Sequence, residues 1–138
     1  MIRVQSEDFD VGAEIAALHG DGVGAVASFT GAVRGDAGLT LEHYPGMTER
    51  EIARHVEEAR KRWPLLGVTI VHRIGRLEPG ANIVLVAVAS AHRDPAFRAC
   101  EFLMDYLKTK APFWKREGGE WVEAKASDED AAKRWSQL

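Results

Sequence analysis

Two periodicities alternate along the chain, and each change of period marks an element. Ile2 to Gln5 alternates weakly and predicts an edge strand. Asp10 reads as the N-cap of a helix from Val11 to Leu18, which Gly20 and Gly22 end. Gly24 to Val33 is rich in small and β-favouring residues and predicts a buried strand ending near Arg34. Gly35 to Gly38 is a short turn, and Leu39 to Tyr44 resumes as a strand, so a hairpin with the preceding strand is expected. Thr48 followed by Glu51 has the spacing of a capping box. The helix it opens carries Ile52, Val56 and Ala59 on one face and closes near Trp63-Pro64.

Gly67 to Arg73 alternates imperfectly, as a strand with one face partly buried would. Glu78-Pro79-Gly80 is a turn, and Asn82 to Ala91 is strongly β-like. Asp94-Pro95 has the form of an N-cap followed by proline at the first helical position. The helix it opens runs to about Lys110 and stops before Pro112. Its apolar stripe is Ala96, Cys100, Leu103 and Leu107, widened by Phe97 and Met104. Phe113 to Glu117 and Trp121 to Lys125 read as a hairpin closed by Gly118-Gly119, and Ser127 caps a last short helix through Trp135. These elements predict an α+β fold: a largely antiparallel or mixed sheet with helices packed on it.

The 138 residues suit one domain, and 46% apolar with 28% charged residues is a globular composition. The net charge of -3 lacks the basic excess of a general nucleic-acid binder, so any anion site must be a local cluster. A single cysteine, Cys100, allows no internal disulfide. With no signal-peptide layout at Met1 to Gln5 and no apolar run longer than stretches such as Ile83 to Ala89, a reducing, cytoplasmic setting is expected.

Candidate chemistry lies at three places. His92-Arg93 falls between a strong strand and a helix N-terminus, where backbone N–H groups favour anions. The alternative is an arginine paired with a neighbouring acid and a histidine packed in the turn. Lys108 ends the long helix and Lys115 follows the Pro112 reversal, which can bring both cations to one cleft for an anionic substrate. Lysines at a helix C-terminus also simply complement its dipole, and Lys110 suits that role. Arg34 ends a glycine-punctuated strand in which Gly31 permits close approach of a ligand or backbone. An exposed arginine before a turn is the competing reading. Cys100 lies on an apolar stripe and reads as a core thiol. His19, His43, His55 and His72 lack metal-ligand spacing, and Gly20, Gly22 and Gly24 lack the lysine of a phosphate loop.

The ordered set Ser90-Ala91-His92-Arg93, Met104-Asp105-Tyr106-Leu107-Lys108 and Ala111-Pro112-Phe113-Trp114-Lys115-Arg116-Glu117 resembles the molybdopterin synthase large-subunit family. Phe29 to Arg34, Leu41 to Tyr44 with Met47, and His72 to Leu77 with Pro79-Gly80 extend the resemblance over most of the chain. It implies an α/β hammerhead domain with an additional antiparallel β subdomain, here from about 34–45 and 72–82. It also implies a sulfurtransferase without a cofactor or metal of its own. Such an enzyme converts cyclic pyranopterin monophosphate into the molybdopterin dithiolene. The sulfur comes as a thiocarboxylate on the C-terminal Gly-Gly of a small ubiquitin-like subunit. Two large subunits form a central homodimer within a heterotetramer, with neither nucleic acid nor membrane as partner. The family's essential lysines fall on Lys108 and Lys115. Its substrate-binding positions fall on Ala32, Val33, Arg34, His92, Arg93, Arg116 and Glu117. The long helix separates Lys108 from His92, so the site must be an extended groove or be shared between subunits. Two other readings remain: a non-catalytic adaptor for a ubiquitin-like tail, and an unrelated enzyme of a phosphate-bearing ligand.

Overall fold

The structure is a computed structural model that describes residues 1–117 and, as backbone strand, 120–122. The chain order is β1 (Ile2–Gln5), α1 (Val11–Leu18), β2 (Ala25–Ala32), β3 (Leu39–His43), α2 (Met47–Arg62), β4 (Gly67–Arg73), β5 (Gly75–Leu77), β6 (Asn82–Ser90), α3 (Arg93–Thr109), β7 (Phe113–Glu117) and β8 (Glu120–Val122). The fold is α+β, as the pattern predicts. The last predicted helix, from Ser127, and the strand beyond Val122 lie outside the described residues.

The strands form two four-stranded sheets, one in the order β1-β4-β6-β2 and the other in the order β5-β3-β7-β8. In the first, β1 is the predicted edge strand and pairs parallel with β4; the other pairs are antiparallel. Its central strands are apolar on both sides because both faces are covered. On one face, Val68, Ile70, Val86 and Val88 meet Ile52, Val56 and Ala59 of α2 and Ala96, Cys100, Leu103 and Leu107 of α3. On the other, Val71, Leu85 and Ala87 meet Val11, Ile15 and Leu18 of α1. Thus β4 is buried on both faces, where its imperfect alternation predicts one.

The predicted hairpin between β2 and β3 does not form. Along its whole length β2 pairs with β6, from Ala25 opposite Ser90 to Ala32 opposite Asn82. Val33 continues that pairing through hydrogen bonds with Ala81 and Gly80. Gly35 and Gly38, at φ of 92° and 67°, then turn the chain away. Leu39 and Leu41 join Val33 and Leu77 in a separate small core under the second sheet. Nor is β2 a buried strand. It is an edge, with Ser28, Phe29 and Thr30 exposed and Ala27 buried.

Three local assignments shift. Helix α2 is capped two residues earlier, at Gly46, whose N–H donates to Glu49. Thr48 Oγ1 instead accepts from Tyr44 N–H, while Glu51 pairs with Arg54. The N-cap of α3 is His92, which leaves Asp94 and Pro95 inside the first turn, where a missing N–H costs nothing. Phe97 is 64% exposed and does not widen the core stripe. It lies one residue around the helix from Ala96 and lines a groove with Phe29 of β2.

Candidate active site

Helix α3 runs back along β6, and this sorts the predicted residues into two groups. At one end of the first sheet lie the start of β6, the end of β2 and the last turn of α3. Ala32, Val33, Arg34 and Lys108 are therefore at this end. Residues 110–112 then turn the chain tightly, with Lys110 and Ala111 both donating to Tyr106 O and Phe113 N–H donating to Ala111 O. This returns the chain as β7, which pairs with β3 in the register His43 to Phe113, Leu41 to Lys115 and Thr40 to Arg116.

That register decides which side chains share a face, because opposed residues in an antiparallel pair point the same way. Lys115 lies on the inward face with Leu41, which packs against Val33, the neighbour of Arg34. Glu117 shares this face and pairs with Lys115 at 3.4 Å. Arg116 lies on the opposite face with Trp114, which meets Tyr44 edge-to-face with centroids 4.7 Å apart. The run Lys115-Arg116-Glu117 is therefore divided between two faces of a strand.

Three rings line the corner beneath the lysines. His72, near the end of β4, stacks on Phe113 with centroids 3.8 Å apart and planes within 15°. His43 lies beside the same ring at 6.4 Å. Its Nδ1 faces Glu49 Oε1 at 3.6 Å, an ion-pair distance beyond hydrogen-bond reach. His72 Nδ1 is 2.8 Å from Arg73 O. Burial holds the His72 imidazole down to about 4, despite that bond, and the charges of Lys108 and His43 push the same way. A neutral ring bonded to a carbonyl through Nδ1 carries its proton there. Sequence reasoning set His72 and His43 aside for want of metal-ligand spacing. Their position is visible only once β4, β3 and β7 meet; the one local signal is a histidine directly after the largely apolar run Val68 to Val71.

His92 and Arg93 lie at the far end. Both are exposed, and His92 makes no side-chain capping bond. Asp94 pairs with Arg98 at 3.3 Å. Gly24 and Ser90 fix the turn before them: Gly24 N–H donates to Ser90 O, and Ser90 Oγ donates to Pro64 O. Sixteen residues of helix separate His92 from Lys108, about 24 Å at 1.5 Å per residue. One chain therefore brings Arg34, Lys108 and Lys115 to one end and leaves His92 and Arg93 at the other.

Two concavities lie away from the lysine corner. A cleft of about 460 Å³ between α2 and α3 is lined by His55, Tyr106 and charged residues of both signs, among them Glu57, Glu58, Arg62 and Lys110. A groove of about 390 Å³ between β2 and α3 is lined by Phe29, Phe97, Cys100 and Met104. Burial pushes the Cys100 thiol up to about 11, so it is a protonated core group. Among the described residues no cluster of metal-ligating side chains exists, and no helix is long and apolar enough to cross a membrane.

A family described as MoaE protein matches residues 4–110. The molybdopterin synthase catalytic subunit of Mesorhizobium japonicum is 58% identical, over 97% of this chain and 92% of that protein. The subunit of the same name from Escherichia coli is 58% identical over 97% of each chain. Among solved structures, the molybdopterin cofactor biosynthesis protein E of Burkholderia multivorans superposes with a TM-score of 0.88 at 52% identity. That match covers 98% of this chain and 95% of the other. The match to the family over most of the chain, with relatives above half identity along nearly its full length, establishes that the chain belongs to the MoaE protein family.

Proposed function

We propose that this chain is the catalytic subunit of a molybdopterin synthase. It would transfer sulfur from the C-terminal thiocarboxylate of a small ubiquitin-like subunit to cyclic pyranopterin monophosphate, forming the molybdopterin dithiolene. Its family and its relatives' activity support the reaction class. The observation that carries the reading to residues is the convergence of α3 and β7 on one corner. Lys108 stands in the last turn of the helix that leads into β7, and Lys115 follows the ring that stacks on His72.

Lys115 and Lys108 attract the anionic thiocarboxylate, and their ammonium groups stabilise charge and deliver protons as sulfur adds to the substrate. Arg34, with Ala32 and Val33 beside it, and His92 with Arg93 hold the phosphate and pterin. Glu117 orients Lys115 through their ion pair. Arg116, on the other face of β7, serves the substrate only from a neighbouring surface.

The separation of the two groups is resolved by a second copy of the chain. Among the described residues β2 has a free edge, and the exposed rings of Phe29 and Phe97 flank it. An edge of this kind is a template for pairing. Antiparallel pairing of two β2 strands about a two-fold axis sets Arg34 of one copy near Ala25 of the other. Ala25 lies opposite Ser90, two residues before His92. Each site then combines Arg34, Lys108 and Lys115 of one copy with His92 and Arg93 of its mate. The pair forms the centre of a heterotetramer with two small subunits.

Reconstitution with a thiocarboxylated small subunit and the cyclic pterin tests the reading through dithiolene formation. Lys115→Ala is expected to slow it by about 100-fold or more. Normal dithiolene formation by Lys115→Ala would sink the assignment of the site, and tail binding without any turnover by the wild type would favour an adaptor.

A further inference from the structure

The reaction as described gives His72 no part, yet its ring lies where the two lysine-bearing elements meet. Lys108 and Phe113 flank the tight turn at residues 110–112, which is closed by backbone bonds to Tyr106 O and Ala111 O. That turn joins α3 to β7 but leaves the strand's tilt about it undetermined. The ladder with β3 fixes the strand's register, and the packing of its first residue braces the end nearest α3. Phe113 meets His72, a side chain from a third element, face to face at 3.8 Å. His72 is itself held by its bond to Arg73 O and is 7% exposed. Arg73 is anchored in turn to Ser6 O and Asn82 O. Side chains two apart on a strand share a face, about 7 Å along it, so Phe113 fixes the face on which Lys115 stands.

We infer that His72 is a positioning residue for the lysine pair: by stacking on Phe113 it sets β7 against the end of α3 and so fixes Lys115 relative to Lys108. A flat ring pair limits both sliding and rotation, which an aliphatic contact of equal volume does not. This inference rests on the sulfur-transfer reading for its catalytic readout, but its geometric readout is independent of it.

The test compares His72→Leu, which keeps apolar bulk without a ring, with His72→Phe, which keeps the stack. In the reconstituted complex His72→Leu is expected to lower kcat by about 10- to 100-fold, the range a displacement near 1 Å produces, with little change in KM for the small subunit. His72→Phe is expected to recover most of that loss. A short amine-to-amine cross-linker should join Lys108 to Lys115 in the wild type and His72→Phe, and less in His72→Leu. Normal kcat in His72→Leu, or a loss as large in a folded His72→Phe, overturns the inference. Should His72→Leu fail to fold, Phe113→Leu removes the same stack from the other side and carries the same expectations. A wild type that cross-links with the expected pattern but forms no dithiolene refutes the functional reading alone.

Discussion

Gly24 passes so close to the carbonyl oxygen of Ala91 that a methyl group on its Cα would overlap that oxygen. The approach accompanies the hydrogen bond from Gly24 N–H to Ser90 O, at the start of the β2–β6 ladder. It matters because the next residues are His92 and Arg93. A backbone contact on one strand therefore sets where the helix N-terminus of another element begins. Gly24→Ala forces the two backbones apart, and neither can yield as a flexible side chain would. The substitution is expected to lower stability by roughly 2–4 kcal/mol, read from denaturant unfolding. The same variant should lose sulfur transfer by more than its unfolded fraction explains. Wild-type stability would show that the turn relaxes without cost.

Mixing two inactive chains tests whether the site is shared. Lys115→Ala keeps His92 and Arg93, while Arg93→Ala keeps Arg34, Lys108 and Lys115. In a mixed pair, one of the two shared sites is intact. Random reassembly of equal amounts should therefore restore about a quarter of the wild-type rate. Sites built from one chain would remain inactive in every combination, so no recovery above the separate variants argues against the pairing of β2 edges.

His72 makes stability depend on pH in a defined direction. Its folded value, about 4, lies below its ordinary value of 6.5 because burial opposes the charged ring. The unfolded chain thus takes up a proton, below pH 6.5, that the folded chain refuses. The stabilisation by neutral His72 is complete above pH 6.5. It falls as the pH drops towards 4, by about 3 kcal/mol in total. His72→Phe removes this contribution, so the variant should lose less stability than the wild type between pH 7 and pH 4 in matched denaturant titrations. Parallel pH curves for the two proteins would show that burial does not hold the imidazole neutral.

Much of the fold is written locally. Asp10 caps α1 through its side chain, as predicted, and the apolar spacing of Ile52, Val56 and Ala59 finds the buried face of α2. The stripe Ala96, Cys100, Leu103 and Leu107 orients α3, and the double-sided apolar character of β6 marks a central strand. These succeed because helix and strand periods are consequences of backbone geometry that a short window contains. Glycines at 35 and 38 announce a turn, but they do not say which strand the chain will meet after it.

Partner choice is what the local pattern omits. Leu39 to His43 has the same alternation whether it pairs with β2 or, as it does, with β5 and β7. Only long-range competition for the β6 edge settled that. Phe97 looks like a core residue until it is seen exposed beside the edge of β2, which no described strand covers. The candidate residues follow the same division. Residue types and their spacing singled out Arg34, His92-Arg93 and the lysines as polar groups at element ends. The predicted strand already sets Lys115 and Arg116 on opposite faces, but the tertiary structure alone decided that Lys115 faces inward. It also buried His72 against the strand that follows Lys108 and placed His92 a helix length away. Sequence determines periods and caps because these depend on neighbours a few residues distant. Registers and sheet order depend on contacts between segments as far apart as Thr40 and Arg116, and no local pattern encodes them.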